Sequence, residues 1–465
     1  SKLSLPTIAN PNAFRPLFTD VSSASNGNLV KMSVKNSNLL AVTNRPIADS
    51  VALLDKFNTQ TTVKDFSPLL KIKLLNYLGY DLNLSTTTSL PTSLTSPNLP
   101  FTAMGGSIHS LPVQLTYSGD LDEYGDLTSA RSQSVLYSSM EGGLRIVDAV
   151  TGTEQMVFVP ADILLNDDAS RALRRSESGG ATYGIDGTWV ADAAYEFGEG
   201  ATAGTMSVKA KQMNVYGGMR MGGNSFYGLN VLDPKNPKFL FRIGPDLGGK
   251  YARMGQSWSK PVITNVRYGD KIKRVMIIGG GYDICYENPR FKLNTANPTE
   301  YGGPACKKNQ ADGNAVYIID ATDGTILWSI SNAGADTNVA SMTHSIVSRI
   351  SALDRDGDGL VDHLYFGDLG GQVFRADLNN TKGTTTSAFG KRVVRLANLG
   401  STTISAGDQP RFYQAPTLTK HTQGADTFIL VGIASGDRST PLDVSPLTGR
   451  EGILPTNALT NRPTN

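Results

Sequence analysis

Hydrophobic and polar positions alternate along this chain in short runs, and the runs recur. Val135-Leu136-Tyr137 leads through Gly142-Gly143 to Leu144-Arg145-Ile146-Val147-Asp148-Ala149 and then to Thr151-Gly152. Asn224-Ser225-Phe226-Tyr227-Gly228-Leu229-Asn230-Val231 leads to Asp233-Pro234, and Gly313-Asn314-Ala315-Val316-Tyr317-Ile318-Ile319-Asp320-Ala321 leads to Asp323-Gly324 and Trp328. Gly371-Gln372-Val373-Phe374-Arg375-Ala376-Asp377-Leu378 is a fourth copy. Each copy is a glycine turn, a strand of period two, an Asp or Asn and a polar turn, in most cases followed by another strand. A second element precedes most copies, at residues 107–113, 257–262, 344–347 and 413–417, with Thr188-Trp189-Val190-Ala191 as a fifth. These read as the innermost strands of four-stranded units, with Pro112, Pro261 and Pro416 at positions that need no ladder donor.

Four-stranded antiparallel units repeated in this way make a β-propeller. The spacing of the copies exceeds the roughly 40–45 residues of a compact blade, and the excess lies in insertions such as 160–180 and 284–312. The predicted fold is therefore all-β, a modified propeller with a few inserted helices and long loops. Outside the repeats, Gly27-Asn28-Leu29-Val30-Lys31-Met32-Ser33-Val34 alternates as a strand does, and residues 46–57 suit a short helix. Ser67-Pro68 reads as an N-cap with proline at the first helical position, opening a helix to about Leu78 with Leu69, Leu70, Ile72, Leu75 and Leu78 on one broad face. Residues 83–100 are an uncharged Ser, Thr, Leu and Pro loop, and residues 160–175 look helical. The expected organisation is an irregular segment over 1–100 that packs on or completes the propeller, the propeller over 101–440, and a loop-rich tail over 441–465. Strands near 28–34 are expected to meet the C-terminal part in one blade, which would remove exposed edges.

One repeat is interrupted by Asp354-Arg355-Asp356-Gly357-Asp358-Gly359-Leu360-Val361-Asp362. This is the first nine places of a calcium loop of EF-hand type. Ca²⁺ wants many oxygen ligands, and positions one, three and five supply Asp354, Asp356 and Asp358. Gly359 stands at six, where the chain turns sharply; Leu360 at seven would offer its carbonyl, Val361 at eight would point into the core, and Asp362 at nine would close the site. Tyr365 replaces the usual bidentate Glu at twelve. Either Asp362 binds directly or a water fills in. The competing reading is an acidic, solvated turn, but four like charges in nine residues repel unless a cation neutralises them. Mg²⁺ is the lesser alternative, because it keeps its waters. A loop between strands, without flanking helices, does not open as a helical calcium sensor does.

Composition narrows the function. Lys and Arg total 43 against 41 Asp and Glu, a net charge of +2, which exerts no general pull toward nucleic acid or anionic membrane. Gly numbers 48, an excess that suits tight turns between strands. No apolar run reaches the roughly 18 residues needed to span a bilayer. Ser1 is not an initiator Met and no charged-then-apolar leader follows, so the chain is expected to be a mature or cut fragment. Cys285 and Cys306 bracket a polar loop between strand-like segments, which favours a disulfide and an oxidising compartment; two buried thiols are the alternative, and a metal site lacks further ligands nearby. His109, His344, His363 and His421 are far apart, with no metal-ligand spacing; His109 and His344 suit hydrogen-bonding roles in the fold, and His363 suits an exposed strand face. No nucleophile elbow is present. Gly217-Gly218-Met219-Arg220-Met221-Gly222-Gly223 lies between strands and is explained by turns rather than by phosphate binding. Lys71, Lys73, Arg171, Arg174 and Arg175 read as solvated helix charges. No catalytic residue is assigned, and the chain is not expected to be an enzyme.

Several segments together resemble the C-terminal domain of the type IV pilus tip-associated adhesins, the PilY/PilC family. They are Gly106-Ser107-Ile108-His109-Ser110, the run from Leu144 to Ala149 with Thr151-Gly152, Tyr227 to Val231 with Asp233-Pro234-Lys235-Asn236-Pro237, Gly279-Gly280-Gly281-Tyr282-Asp283, the run from Gly313 to Asp320, and Ser435-Gly436-Asp437-Arg438. The strongest is the acidic loop running into Tyr365-Phe366-Gly367-Asp368-Leu369-Gly370-Gly371. The resemblance covers roughly residues 100–440 and implies a seven-bladed propeller at the pilus tip and outer-membrane surface, reached through the periplasm. It implies calcium held by Asp354, Asp356, Asp358, the Leu360 carbonyl and Asp362. It further implies control of pilus extension and retraction, support of pilus biogenesis and twitching motility, contact with minor pilins, and attachment to a host-cell receptor. No Arg-Gly-Asp triplet occurs, so integrin binding through that motif is not supported.

The main rival is a periplasmic propeller dehydrogenase using pyrroloquinoline quinone, because the spacing from Asp320-Ala321 to Trp328 is similar to the quinoprotein repeat. Such enzymes assemble calcium and quinone from several blades, whereas these carboxylates come from one continuous loop. A third reading is a structural assembly factor that binds minor pilins through a sheet edge or the propeller face and needs no host ligand.

Overall fold

The computed structural model of this chain describes residues 16–21, 23–32, 67–78, 82–84, 86–88, 105–173, 182–201, 204–288, 291–294, 306–400, 409–424 and 426–436. The helix expected over 46–57 and the tail over 441–465 lie outside the described residues, as do Arg174, Arg175, Asp437, Arg438 and most of the loop over 83–100. The chain divides into two compact units, one of Ser1–Gly223 with Tyr227–Arg242, the other of Asn224–Phe226 with Ile243–Asn465.

The first unit carries β1 (Leu17–Thr19), β2 (Gly27–Asn28), β3 (Val30–Met32), β4 (Val113–Leu121), β5 (Leu127–Ser138), β6 (Leu144–Asp148), β7 (Glu154–Phe158), β8 (Val190–Glu199), β9 (Met206–Gly218), β10 (Phe226–Asn230) and β11 (Lys238–Ile243). They form one 11-stranded sheet in the order β2-β11-β10-β9-β4-β5-β6-β7-β1-β3, with β8 paired to β9. Two four-stranded arrays, β4 to β7 and β8 to β11, are joined because the far end of β4 pairs with β9 at Ser118 opposite Lys209. The alternation predicted for residues 28–34 does give short strands. Their place differs from expectation: β1 runs parallel to β7, β3 pairs with β1, and β2 pairs with β11. Among the described residues these N-terminal strands therefore cover edges within the first unit and do not meet the C-terminal strands.

The recurrent Asp turn has a local cause. Asp148 Oδ1 accepts from the Thr151 amide at 2.7 Å, while the Asp148 amide donates to Thr153 O at 2.9 Å. Asp320 repeats this in the second unit, accepting from the Thr322 amide at 3.0 Å and donating to Thr325 O at 2.8 Å. Gly152 and Gly324 turn the chain at φ of 68° and 78°. A side chain that mimics a backbone turn makes Asp the natural end of each strand.

The innermost strands are shorter than predicted. Strand pairing begins only at Val113, Val190, Val262 and Thr417, and residues 344–347 lie outside any strand. Serine hydroxyls take the place of backbone rungs there. Ser110 Oγ accepts from Ser138 N at 3.0 Å, Ser259 Oγ from Gly279 N at 3.0 Å, and Ser345 Oγ from Asp283 N at 3.2 Å. Pro112 and Pro261, beside the first two serines, leave those segments short of amides for a regular ladder.

Helix α1 (Pro68–Leu78) starts as its sequence predicts, with Leu70 N donating to Ser67 Oγ at 3.2 Å. Its buried face is Leu70, Ile72, Leu74, Leu75 and Tyr77, whereas Leu69 is exposed. Lys73, expected in solvent, is buried and donates to Ser170 Oγ at 2.8 Å. The helix predicted over 160–175 is broken into α2 (Ala161–Leu164) and a 3₁₀ turn at Ala169–Leu173. The glycine-rich stretch is set by packing as well as turning: a Cβ at Gly217 would come within 2.3 Å of the Trp189 indole. Arg145 on β6 is buried, with Nη2 donating to Glu141 at 2.6 Å and to Tyr77 Oη at 3.3 Å, and Nη1 donating to Glu154.

Asp20, just past β1, is buried, and its Oδ1 accepts from Ala161 N at 2.7 Å at the start of α2. Burial pushes its carboxyl up from 3.8 to about 7; the Ala161 amide opposes this, and neighbouring Asp162 adds to it. Between those two values the folded chain holds a proton that the unfolded chain has released, so this group's contribution to stability falls as pH rises through the window and is constant above it. Asp20→Asn keeps an acceptor for Ala161 and removes the titration. Urea melts are expected to show the variant gaining on the wild type by up to about 1.4 kcal/mol per pH unit across the window. Parallel pH profiles would show that Asp20 does not titrate there.

The second unit holds three sheets among the described residues. The first is five-stranded: β12 (Val262–Tyr268), β13 (Lys271–Gly279), β14 (Ala315–Asp320), β15 (Ile326–Ser331) and β16 (Thr337–Asn338). The second is four-stranded: β17 (Ser351–Leu353), β18 (His363–Gly367), β19 (Gln372–Leu378) and β20 (Gly390–Asn398). The third has two strands, β21 (Thr417–Gln423) and β22 (Asp426–Gly432). In β13, flanked on both sides, Val275, Met276, Ile277 and Ile278 are each 0% exposed. In β22, the second strand of its own array, Phe428 is 45% and Leu430 55% exposed. Cys285 and Cys306 form a disulfide with Cα atoms 5.9 Å apart. The loop it closes is also tied at Asp283, which accepts from the Cys285 amide at 3.0 Å and from Lys308 Nζ at 2.8 Å.

Candidate metal centre

The acidic loop joins β17 to β18, where Ser351 stands opposite Tyr365, Ala352 opposite Leu364 and Leu353 opposite His363. The strand leading in is Ser351–Leu353, shorter than the 347–353 that the apolar pattern suggests. The loop thus replaces a hairpin connection inside one array. Leu360 and Val361 are buried, so the side chains at positions seven and eight anchor the loop to the core. Val361 N donates to Asn265 O on β12 at 3.0 Å, and Asn380 Nδ2 donates to Val361 O at 2.8 Å. Asp362 N closes the hairpin on Leu353 O at 2.9 Å.

One carboxylate oxygen from each of Asp354, Asp356 and Asp362 lies within 4.8 Å of the others. Asp354 accepts from Gly357 N at 2.7 Å and Gly359 N at 2.8 Å, and both glycines have the positive φ, 80° and 85°, that this wrapping requires. Its partial burial pushes the Asp354 carboxyl up, but the Gly359 and Gly357 amides outweigh this and hold it below the usual carboxylate range. Asp362 accepts from Arg355 N at 2.9 Å and from Asn380 Nδ2 at 3.2 Å. Asp358 stands apart from the three; its Oδ1 accepts from Leu360 N at 2.8 Å. Tyr365 is buried in β18 and offers no twelfth ligand.

These residues fit a hard cation. Three carboxylate oxygens converge, and the loop also supplies main-chain carbonyls, the hard oxygen donors that such an ion takes. Asn265 and Asn380 hold the loop and went unrecognised in the sequence. The only signal for Asn380 is that it follows Leu378 in the polar turn after a repeat strand.

The histidines do not join this centre. His363, expected on an exposed face, is half-buried with Nδ1 2.7 Å from Asp377 Oδ1. Burial raises the Asp377 carboxyl, but Arg392, His363 and Arg375 together bring it below its ordinary value. His109 lies 2.8 Å from Asp186, which also accepts from Arg220 at 2.8 Å. His344 is bonded to Tyr286 Oη at 2.8 Å, and its ring lies where a Cβ at Gly370 would come within 2.2 Å. Both fill the hydrogen-bonding roles their sequence positions suggest.

Repeated antiparallel arrays closed on their inner side by serine hydroxyls, one of them carrying an acidic hairpin loop, define a β-propeller. The chain belongs to the PilY1 beta-propeller domain family, which matches residues 97–435. It is 25% identical over 328 residues to the type IV pilus biogenesis factor PilY1 of Pseudomonas aeruginosa, covering 68% of this chain and 24% of that protein. It is 25% identical over 348 residues to a PilY1 homolog of Xylella fastidiosa, covering 70% of this chain and 20% of that protein. The chain thus spans about a quarter or less of these relatives' length. The crystal structure of the P. aeruginosa PilY1 C-terminal domain superimposes with a TM-score of 0.42 and 21% identity, over 65% of this chain and 53% of that one. No helix among the described residues is long and apolar enough to cross a membrane.

Proposed function

We propose that this chain is the calcium-binding propeller of a type IV pilus biogenesis factor, working at the pilus tip and bacterial surface in contact with minor pilins. The observation that carries the calcium part is the convergence of Asp354, Asp356 and Asp362 within a hairpin loop anchored by Val361 and Asn380. Membership of the PilY1 family supports the pilus part. A bound Ca²⁺ supplies the charge that lets these carboxylates share one turn. The chain's own contribution is to fix the two ends of the loop in a ladder, so that ordering is confined to residues 354–362. Whatever senses the calcium state touches that loop or a segment packed on it. This is a local ordering device biasing pilus extension against retraction and, with it, twitching motility and attachment to a host-cell receptor. It requires no catalysis: every acid in the cluster comes from one continuous loop, unlike the several-blade site of a quinone dehydrogenase.

The test is made in the full-length protein. Asp354→Ala is expected to lower the number of surface pili when the retraction motor is present and to leave it unchanged when the motor is deleted. Wild-type pilus numbers in both backgrounds would refute the regulatory reading. Loss in both would assign the loop to assembly instead.

A further inference from the structure

A cavity of about 360 Å³ lies in the second unit beside the disulfide-closed loop, away from the acidic hairpin in both lining and chemistry. Among the described residues no Asp or Glu lines it, whereas Lys292, Arg395 and Arg411 do. Arg411 is buried and rigid: Nη1 donates to Tyr286 O and Nη2 to Asn288 O, each at 2.9 Å, and the guanidinium lies 5.0 Å from the Tyr286 ring centroid. Arg395 is held at one corner only, with Nη1 donating to Gln372 Oε1 at 2.8 Å. Gln372 is itself fixed, donating to Asp368 Oδ2 at 2.8 Å and Ser341 O at 2.9 Å. The rest of the Arg395 fork has no partner among the described residues. The same holds for the side chains of Asn294, Asn398, Ser341 and Thr343, which also line the cavity. The Tyr286 and Phe291 rings, packed edge to face at 4.8 Å, are buried behind the cavity and back its lining.

Each feature narrows the ligand. A positive lining without acids selects an anion, and a planar guanidinium with unused donors matches a carboxylate. Amides and hydroxyls without partners match a ligand rich in hydroxyl groups. A volume near the small end of the ligand-site range admits one compact unit. We propose that this pocket binds a carboxylated sugar residue, with its carboxylate on Arg395 and its hydroxyls on Asn294, Asn398, Ser341 and Thr343. Uronic acids and sialic acids share this chemistry.

The test titrates the chain with D-glucuronate, N-acetylneuraminate, D-glucose and inorganic phosphate, followed by ligand-observed NMR. At least one acid sugar is expected to bind about tenfold or more tightly than glucose, and the one that does identifies the source as uronic or sialic. Arg395→Gln, at an exposed position, is expected to abolish that advantage while leaving the melting temperature unchanged. Asn398→Ala, also exposed, is expected to weaken the acid sugars and leave phosphate untouched. The proposal is overturned if glucose matches both acids, if phosphate matches or exceeds them, if none binds, or if Arg395→Gln leaves acid-sugar binding intact. None of these outcomes depends on calcium, so the pocket and the acidic loop stand or fall separately.

Discussion

Saturating calcium is expected to raise the melting temperature of the wild-type second unit and to leave that of Asp354→Ala unmoved. A ligand bound only to the native state stabilises it by about 2.7 kcal/mol at a hundred times its Kd and about 4.1 kcal/mol at a thousand times. For a unit of this size each kcal/mol is worth about 2–4 °C, so the shift is easily read in a scan with and without chelator. The geometry also ranks the acids. Asp356→Asn and Asp362→Asn should abolish the shift as Asp354→Ala does, because these three oxygens converge. Asp358→Asn should only weaken it, because that carboxylate caps Leu360 N outside the cluster. An equal shift in wild type and Asp354→Ala would refute the site. An Asp358 variant as damaging as Asp354→Ala would show that binding draws the fourth acid in. With Tyr365 buried at position twelve, affinity at the tightest end of such loops is not expected.

Arg145→Met is expected to destabilise the first unit by about 3–5 kcal/mol, the cost of breaking a buried ion pair from one side. Methionine matches much of the volume, so the loss is chiefly electrostatic. Glu141 and Glu154 would lose the Arg145 guanidinium, and Tyr77 Oη would lose the hydrogen bond that Nη2 donates. The signature is non-additivity. Adding Glu141→Gln and Glu154→Leu to Arg145→Met should recover much of the lost stability in urea melts, because a buried ion network and an apolar replacement differ little. A triple variant as unstable as the sum of its parts would mean that Arg145 acts by shape alone.

What the sequence revealed and what it hid divide along physical lines. The Asp turns at Asp148 and Asp320 were legible because their causes are local: a carboxylate, a nearby hydroxyl residue and a glycine within six positions. The N-cap at Ser67 and the hairpin setting of the acidic loop were legible for the same reason. Long-range features were not. Nothing near Ser110, Ser259 or Ser345 announces that a hydroxyl replaces a ladder rung, because the donating amide belongs to another segment. Lys73 looks like a surface charge until Ser170, far along the chain, meets it. Within the acidic loop, spacing singled out the candidate acids but not that three converge while Asp358 is held by a neighbouring amide. That distinction depends on rotamers, which a linear pattern does not contain.

The bareness of β22 has a colloidal consequence. Phe428-Ile429-Leu430-Val431 is an uncharged, strand-forming run without proline, and it occupies the place that β13 holds in its own array, where flanking strands cover the corresponding residues completely. A hairpin of two strands is marginal in water by itself, and an apolar strand with exposed side chains is a template on which other chains can grow sheet. Such a segment needs cover from the moment it is made. Among the described residues, the C-terminal hairpin is therefore where loss of that cover would turn folding into precipitation.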